Sequence, residues 1–153
     1  MTTPDSGTEA LSALRPGQSG VFLVSRALPA LRKAAARTGG AWLDVSLHGV
    51  HDKAGFLAAC ARDLKFPAHF GATWDAFSDC VNDLSWQAAR GYVIVIENVE
   101  PLARHAPQEC ATALEILRAA ADAWRVRYGT FIVLLDYAPA AVAVDRFPEP
   151  PLT

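Results

Sequence analysis

A small single-domain α/β fold, a mostly parallel β-sheet covered by helices, is what this sequence predicts. Two observations carry the expectation. Short apolar runs at 21–24, 42–47, 93–96 and 131–135 read as strands, and segments with helical periodicity fall between them. Parallel neighbours need long crossover connections, and those helical segments supply them. The length of 153 residues and the 52% hydrophobic content suffice for one domain with a sizeable core.

Residues 1–17, rich in Thr, Ser, Gly and Pro, read as a flexible leader before a domain over 18–138. The run Val21-Phe22-Leu23-Val24 is the first strand, and an Ala-rich helix over 28–37 ends at Gly39-Gly40. From Trp42 to Leu47, polar and apolar positions alternate, giving a strand with one apolar face. Asp52 is placed to cap a helix whose inner face is Phe56, Leu57, Cys60, Ala61 and Leu64. Pro67 stops it, because the residue before a proline is steered away from helical geometry.

The next helix is expected just after Gly71, with Phe77, Cys80, Val81 and Leu84 inward and Trp74 at the seam. Val93-Ile94-Val95-Ile96 and Phe131 to Leu135 are continuous apolar strands of the kind buried on both faces. Between them Pro107 opens a long helix with apolar positions Leu114, Leu117, Ala121, Trp124 and Tyr128. Arg125 and Arg127 suit its negative end, and Gly129 closes it. Residues 139–153 hold four prolines from Pro139 on and read as an irregular tail.

With a net charge of −2 and no sustained basic run, nucleic acid is not an expected ligand. No apolar run approaches the roughly 20 residues of a membrane span, and the N-terminus lacks the pattern of a signal peptide. Cys60, Cys80 and Cys110 have no CxxC spacing and read as reduced core thiols. A cytoplasmic protein is the expectation.

One stretch does not reduce to fold. From Phe66 to Trp86 the chain reads FPAHFGATWDAFSDCVNDLSW, with no lysine or arginine. Asp75, Asp79 and Asp83 are four apart, so on a helix they form one outward stripe beside Ser78 and Asn82. Like charges at that spacing repel by roughly 0.2–0.5 kcal/mol per pair. A solvated helix face also carries such stripes, and a carboxylate in the first turn is favoured by the helix dipole. Two functional readings stand beside that one: a surface that meets a cationic partner, or a carboxylate pair that shares a proton or a metal ion. Against the second, no His-rich ligand set, glycine-rich phosphate loop or nucleophile motif accompanies the aspartates.

The run Phe66-Pro67-Ala68-His69-Phe70-Gly71-Ala72-Thr73-Trp74-Asp75-Ala76-Phe77-Ser78-Asp79-Cys80 resembles the barstar family of intracellular ribonuclease inhibitors. The order of elements over about 41–136 also agrees, and the strand and helix at 20–37 resemble an N-terminal addition found in a longer branch. The resemblance implies an inhibitor of immunity type, not an enzyme, that needs no cofactor. Its partner would be a secreted or toxin-type ribonuclease with a basic active-site cleft.

Carried over by position, Asp75 and Asp79 match the family's two binding aspartates, and Gly71 matches a loop glycine that brings backbone close to the enzyme. Thr73 and Trp74 flank them in the expected contact set, and Asp83 extends the stripe as support. His69, Thr73, Trp74 and Ser78 stand where the family has tyrosine, asparagine, leucine and a large aromatic, and Ala119 stands where it has an acidic contact. The charges therefore define the kind of cleft, and the neutral positions define whose it is. A scaffold of this type recruited to a partner other than a nuclease is the remaining alternative.

Overall fold

The computed structural model describes residues 19–24, 28–37, 39–127, 129–140 and 142–147. Strand β1 (Ser19–Leu23) leads to helix α1 (Leu28–Arg37), and strand β2 (Ala41–Ser46) to helices α2 (Lys53–Asp63) and α3 (Trp74–Asp83). Strand β3 (Gly91–Glu97), helices α4 (Val99–His105) and α5 (Pro107–Val126), and strands β4 (Thr130–Leu135) and β5 (Asp145–Arg146) complete the described order. The sheet runs β2-β3-β4-β1-β5, and every pairing in it is parallel. The expected α/β class is thus observed. The leader over 1–17 and Tyr128 lie outside the described residues.

The local signals operate where they were read. Asp52 caps α2, its Oδ1 accepting from the Gly55 amide at 2.8 Å. After α1, Gly39 takes a φ of 78°, which glycine adopts without strain, and the Gly40 amide closes on the Ala35 carbonyl at 2.8 Å. Pro107 stands in the first turn of α5, and the Gly129 amide bonds back to the Trp124 carbonyl.

Period-two alternation along β3 and β4 builds two cores. Tyr92, Ile94, Ile96, Phe131, Val133 and Leu135 face α2, α3 and α5. On the opposite side Val93, Val95, Ile132 and Leu134 pack with Leu31, Ala34 and Ala35 of α1 and with Phe147. The strand and helix at 20–37, read as an addition, are built into the sheet: they supply an interior strand and the cover of its second face. One predicted feature changes. The tail, expected to be irregular, contributes β5 and buries Phe147 to 1% exposure. The pairing is short, two residues of the tail lying beside Phe22 and Leu23 of β1.

Helix α4 has no counterpart in the sequence expectations. Its first residues are held from a distance: Asp136 accepts from the amides of Asn98 at 2.7 Å and Val99 at 3.2 Å. Asn98 itself sits in the left-handed region at φ 64°, which asparagine tolerates better than most residues.

At the free end of β2, Asp63 accepts from the Ser46 amide at 2.9 Å and from Arg62, whose Nη2 also donates to the Ser46 carbonyl. These contacts blunt an exposed strand edge. The Arg62 hydrogen bond, opposed by partial burial and aided by the Ser46 amide, holds the Asp63 carboxyl below its usual range. A folded value below the unfolded one, near 3.9, stabilises the protein above that pH and is lost as pH falls through the folded value. Urea midpoints of wild type and Asp63→Asn should therefore differ at pH 7 and converge below pH ~4. Parallel curves over that range would refute this linkage.

Candidate functional site

The loop into α3 is anchored by aromatic rings. Phe66 meets Phe70 at 4.9 Å, Trp86 at 5.9 Å and Phe77 at 6.1 Å between centroids. The Trp86 indole and the Gln87 amide both donate to the Leu64 carbonyl. This framework leaves Ala68, His69, Gly71, Ala72 and Thr73 exposed. Gly71 faces open space: a Cβ added there would have no neighbour within 4 Å. Ala72 takes a φ of 52°, a left-handed conformation that costs a non-glycine residue roughly 1–2 kcal/mol.

That backbone turn delays the helix. Thr73 is its N-cap, with Oγ1 accepting from the Ala76 amide at 3.1 Å, so α3 starts at Trp74 and not directly after Gly71. Leu84, left-handed at φ 53°, ends it. The inner side is held by Phe77 and Val81, both 0% exposed, each burial contributing roughly 1.5–3 kcal/mol. Cys80 departs from the expected core position and is only half-buried, because its place on the helix turns it towards the flank. Cys60 and Cys110 are buried as expected.

Asp75, Asp79 and Asp83 are all exposed along α3, and among the described residues none pairs with a cation. Asp83 accepts from the Ser85 hydroxyl at 3.2 Å. Ser78 and Asn82 are tied to each other, Asn82 Nδ2 donating to the Ser78 carbonyl at 2.8 Å. Burial first, and then the negative field of Asp79 and Asp83, push the Cys80 thiol above its ordinary range. The stripe is thus electrostatically open on its outer side. Among the described residues, no group of three His, Cys, Asp or Glu side chains is disposed to hold a metal ion.

Trp74 sits half-buried at the helix start, between Phe56 at 5.9 Å and Phe77 at 6.0 Å, with Lys53 Nζ 5.5 Å from its ring centroid. Its indole donates to Glu109 Oε2 at 3.2 Å. At the other end, the Trp124 indole donates to the Val81 carbonyl at 2.9 Å and Arg127 to the Asn82 carbonyl at 3.0 Å. Lys53, Glu109 and Arg127 were not among the sequence-predicted site residues. The contacts that bring them there span 35 and 45 residues for Glu109 and Arg127, beyond the reach of local periodicity.

Fold and site together define a parallel α/β domain that displays a capped, acidic helix above a sheet. Residues 41–136 match the family model described as barstar (barnase inhibitor), and the chain belongs to the barstar family. A comparison with curated proteins gives no match. Among solved structures, the fold is similar to the Aeropyrum pernix ORC2 protein (ADPNP-ADP complexes), at TM-score 0.53 and 13% identity. That likeness covers 83% of this chain but 40% of the ORC2 chain, and at this identity it concerns the fold alone. The segment joining β1 to α1, Val24-Ser25-Arg26-Ala27, contains no glycine, and the sequence has no phosphate-binding Gly-x-x-x-x-Gly-Lys-Ser/Thr loop. Among the described residues, no helix is long and apolar enough to cross a membrane.

Proposed function

We propose that this protein is a cytoplasmic inhibitor of a ribonuclease, docking α3 and the loop before it into a cationic active-site cleft. The observation that carries the reading is the row of exposed carboxylates on α3, to which the described part of the fold supplies no cation. In the complex, Asp75 and Asp79 take the place of substrate phosphates, accepting charge-assisted hydrogen bonds from the enzyme's basic side chains. Asp83 adds to the field, Gly71 lets backbone approach closely, and Thr73 and Trp74 shape the contact. Complementary fields of this kind steer encounter and make association fast and salt-sensitive; barnase with barstar is the established example.

The test is a titration of barnase, other guanyl-type ribonucleases and toxin-type nucleases at low and high salt. Binding with inhibition, weakened by salt, is the expected result. If nothing in the panel is bound, the scaffold serves another partner and the proposal fails. Gly71 provides a separate check. Because a methyl group there meets open space and φ is not positive, Gly71→Ala should leave the urea midpoint equivalent to within about 0.5 kcal/mol. Its nuclease affinity should nevertheless fall, because the added methyl intrudes where the enzyme approaches. Unchanged affinity would remove Gly71 from the contact surface.

A further inference from the structure

We propose that Glu109 is a positioning residue for the docking helix, acting through Trp74 on the placement of Asp75. This rests on the inhibitor reading given above. Helix ends fray first, and the first turn of α3 carries one of the two principal carboxylates. The far end of α3 is held by Trp124 on the Val81 carbonyl and by Arg127 on the Asn82 carbonyl, with the Arg127 guanidinium 4.2 Å from the Trp124 ring centroid. The near end is tied to α5 by the indole of Trp74 on Glu109.

The chemistry of that tie is directional. Phe56 and Phe77 pack against the Trp74 ring and leave its N–H as the polar end of a half-buried side chain. Glu109 lies in the first turn of α5, where the helix dipole favours its anion, and it supplies a charged acceptor. Asp75 follows Trp74 directly and has no partner of its own among the described residues, so its position is inherited from the backbone that Trp74 fixes. The long helix thus grips the docking helix at both ends and presents its carboxylates in one register.

The experiment compares Glu109→Ala and Glu109→Gln, alone and in an Asp75→Ala background. Binding to barnase is measured, and so is amide exchange at Ala76 and Phe77 in the free protein. Glu109→Ala should raise Kd about tenfold, chiefly through faster dissociation. Glu109→Gln keeps a carbonyl acceptor for the indole and should stay within about twofold of wild type. In the Asp75→Ala background the Glu109→Ala penalty should vanish. Exchange at Ala76 and Phe77 should quicken in Glu109→Ala and recover in Glu109→Gln.

If Glu109→Gln binds as weakly as Glu109→Ala, the charge meets the enzyme directly and the positioning role is overturned. A penalty that persists without Asp75 overturns it as well. Should wild type fail to bind barnase, the inhibitor reading is what suffers. Exchange then decides the tie by itself, and unchanged rates in Glu109→Ala overturn it.

Discussion

Asp79→Ala should weaken ribonuclease binding by about 150-fold or more while leaving the free protein as stable as wild type or slightly more so. Removing one partner of an ion pair that becomes buried costs roughly 3–5 kcal/mol, because the enzyme's cation is left desolvated and unmatched. In the free protein the same carboxylate is exposed, has no cationic partner among the described residues, and lies one turn from both Asp75 and Asp83. Its removal relieves two like-charge pairs of roughly 0.2–0.5 kcal/mol each. Asp75→Ala should lose affinity too, without the gain in stability, since a first-turn carboxylate is favoured by roughly 0.3–1 kcal/mol. Calorimetric titration against the bound nuclease, paired with urea unfolding, separates the two quantities. Equal affinity for wild type and Asp79→Ala would end the docking account of α3.

The second large effect falls on the opposite face of the sheet. Phe147→Ala should destabilise the protein by about 3–5 kcal/mol, a large fraction of the 5–15 kcal/mol typical of a domain. The ring is 1% exposed, stands edge-on to Phe22 at 5.3 Å, and packs with Leu31 and Ala34 over Val93 and Ile132. Its amide donates to the Leu23 carbonyl at 2.8 Å, which fixes the chain where the ring enters. Truncation leaves a cavity between α1 and the sheet. Phe147→Leu should recover part of the loss, and nuclease affinity of the folded fraction should be unchanged because α3 lies on the other face. A urea midpoint indifferent to Phe147→Ala would mean that residues 145–147 are not part of the cooperative unit.

What could be read in the chain follows the range of the interactions involved. Strands β3 and β4 were legible as unbroken apolar runs, and α2 as a cap followed by a 3.6-residue period, because each signal is contained within a dozen residues. The outward aspartates of α3 were legible for the same reason. Helix α4 was not, since its start depends on Asp136, which arrives 38 residues after Asn98. Nor was the interior place of β1, which is set by pairing with β4 rather than by any local pattern. The helix start at Trp74 was missed by the turn that Ala72 makes, a conformation no alanine advertises. Of the site, the charges were visible and the ties from α5 that aim them were not.

The seating of β1 also dictates the order in which the molecule can be finished. Its first residue, Ser19, is clasped by a strand 112 positions later: Ser19 Oγ accepts from the Phe131 amide and donates to the Gly129 carbonyl. Arg125 donates to the Ser19 carbonyl from the end of α5. A strand that must wait for its neighbour raises the contact order, and folds of high contact order form slowly. During synthesis the earliest segment of the sheet therefore remains unpaired until β4 has left the ribosome. Refolding should then show a late step in which β1 inserts between β4 and β5, after the β2-β3-β4 half has formed.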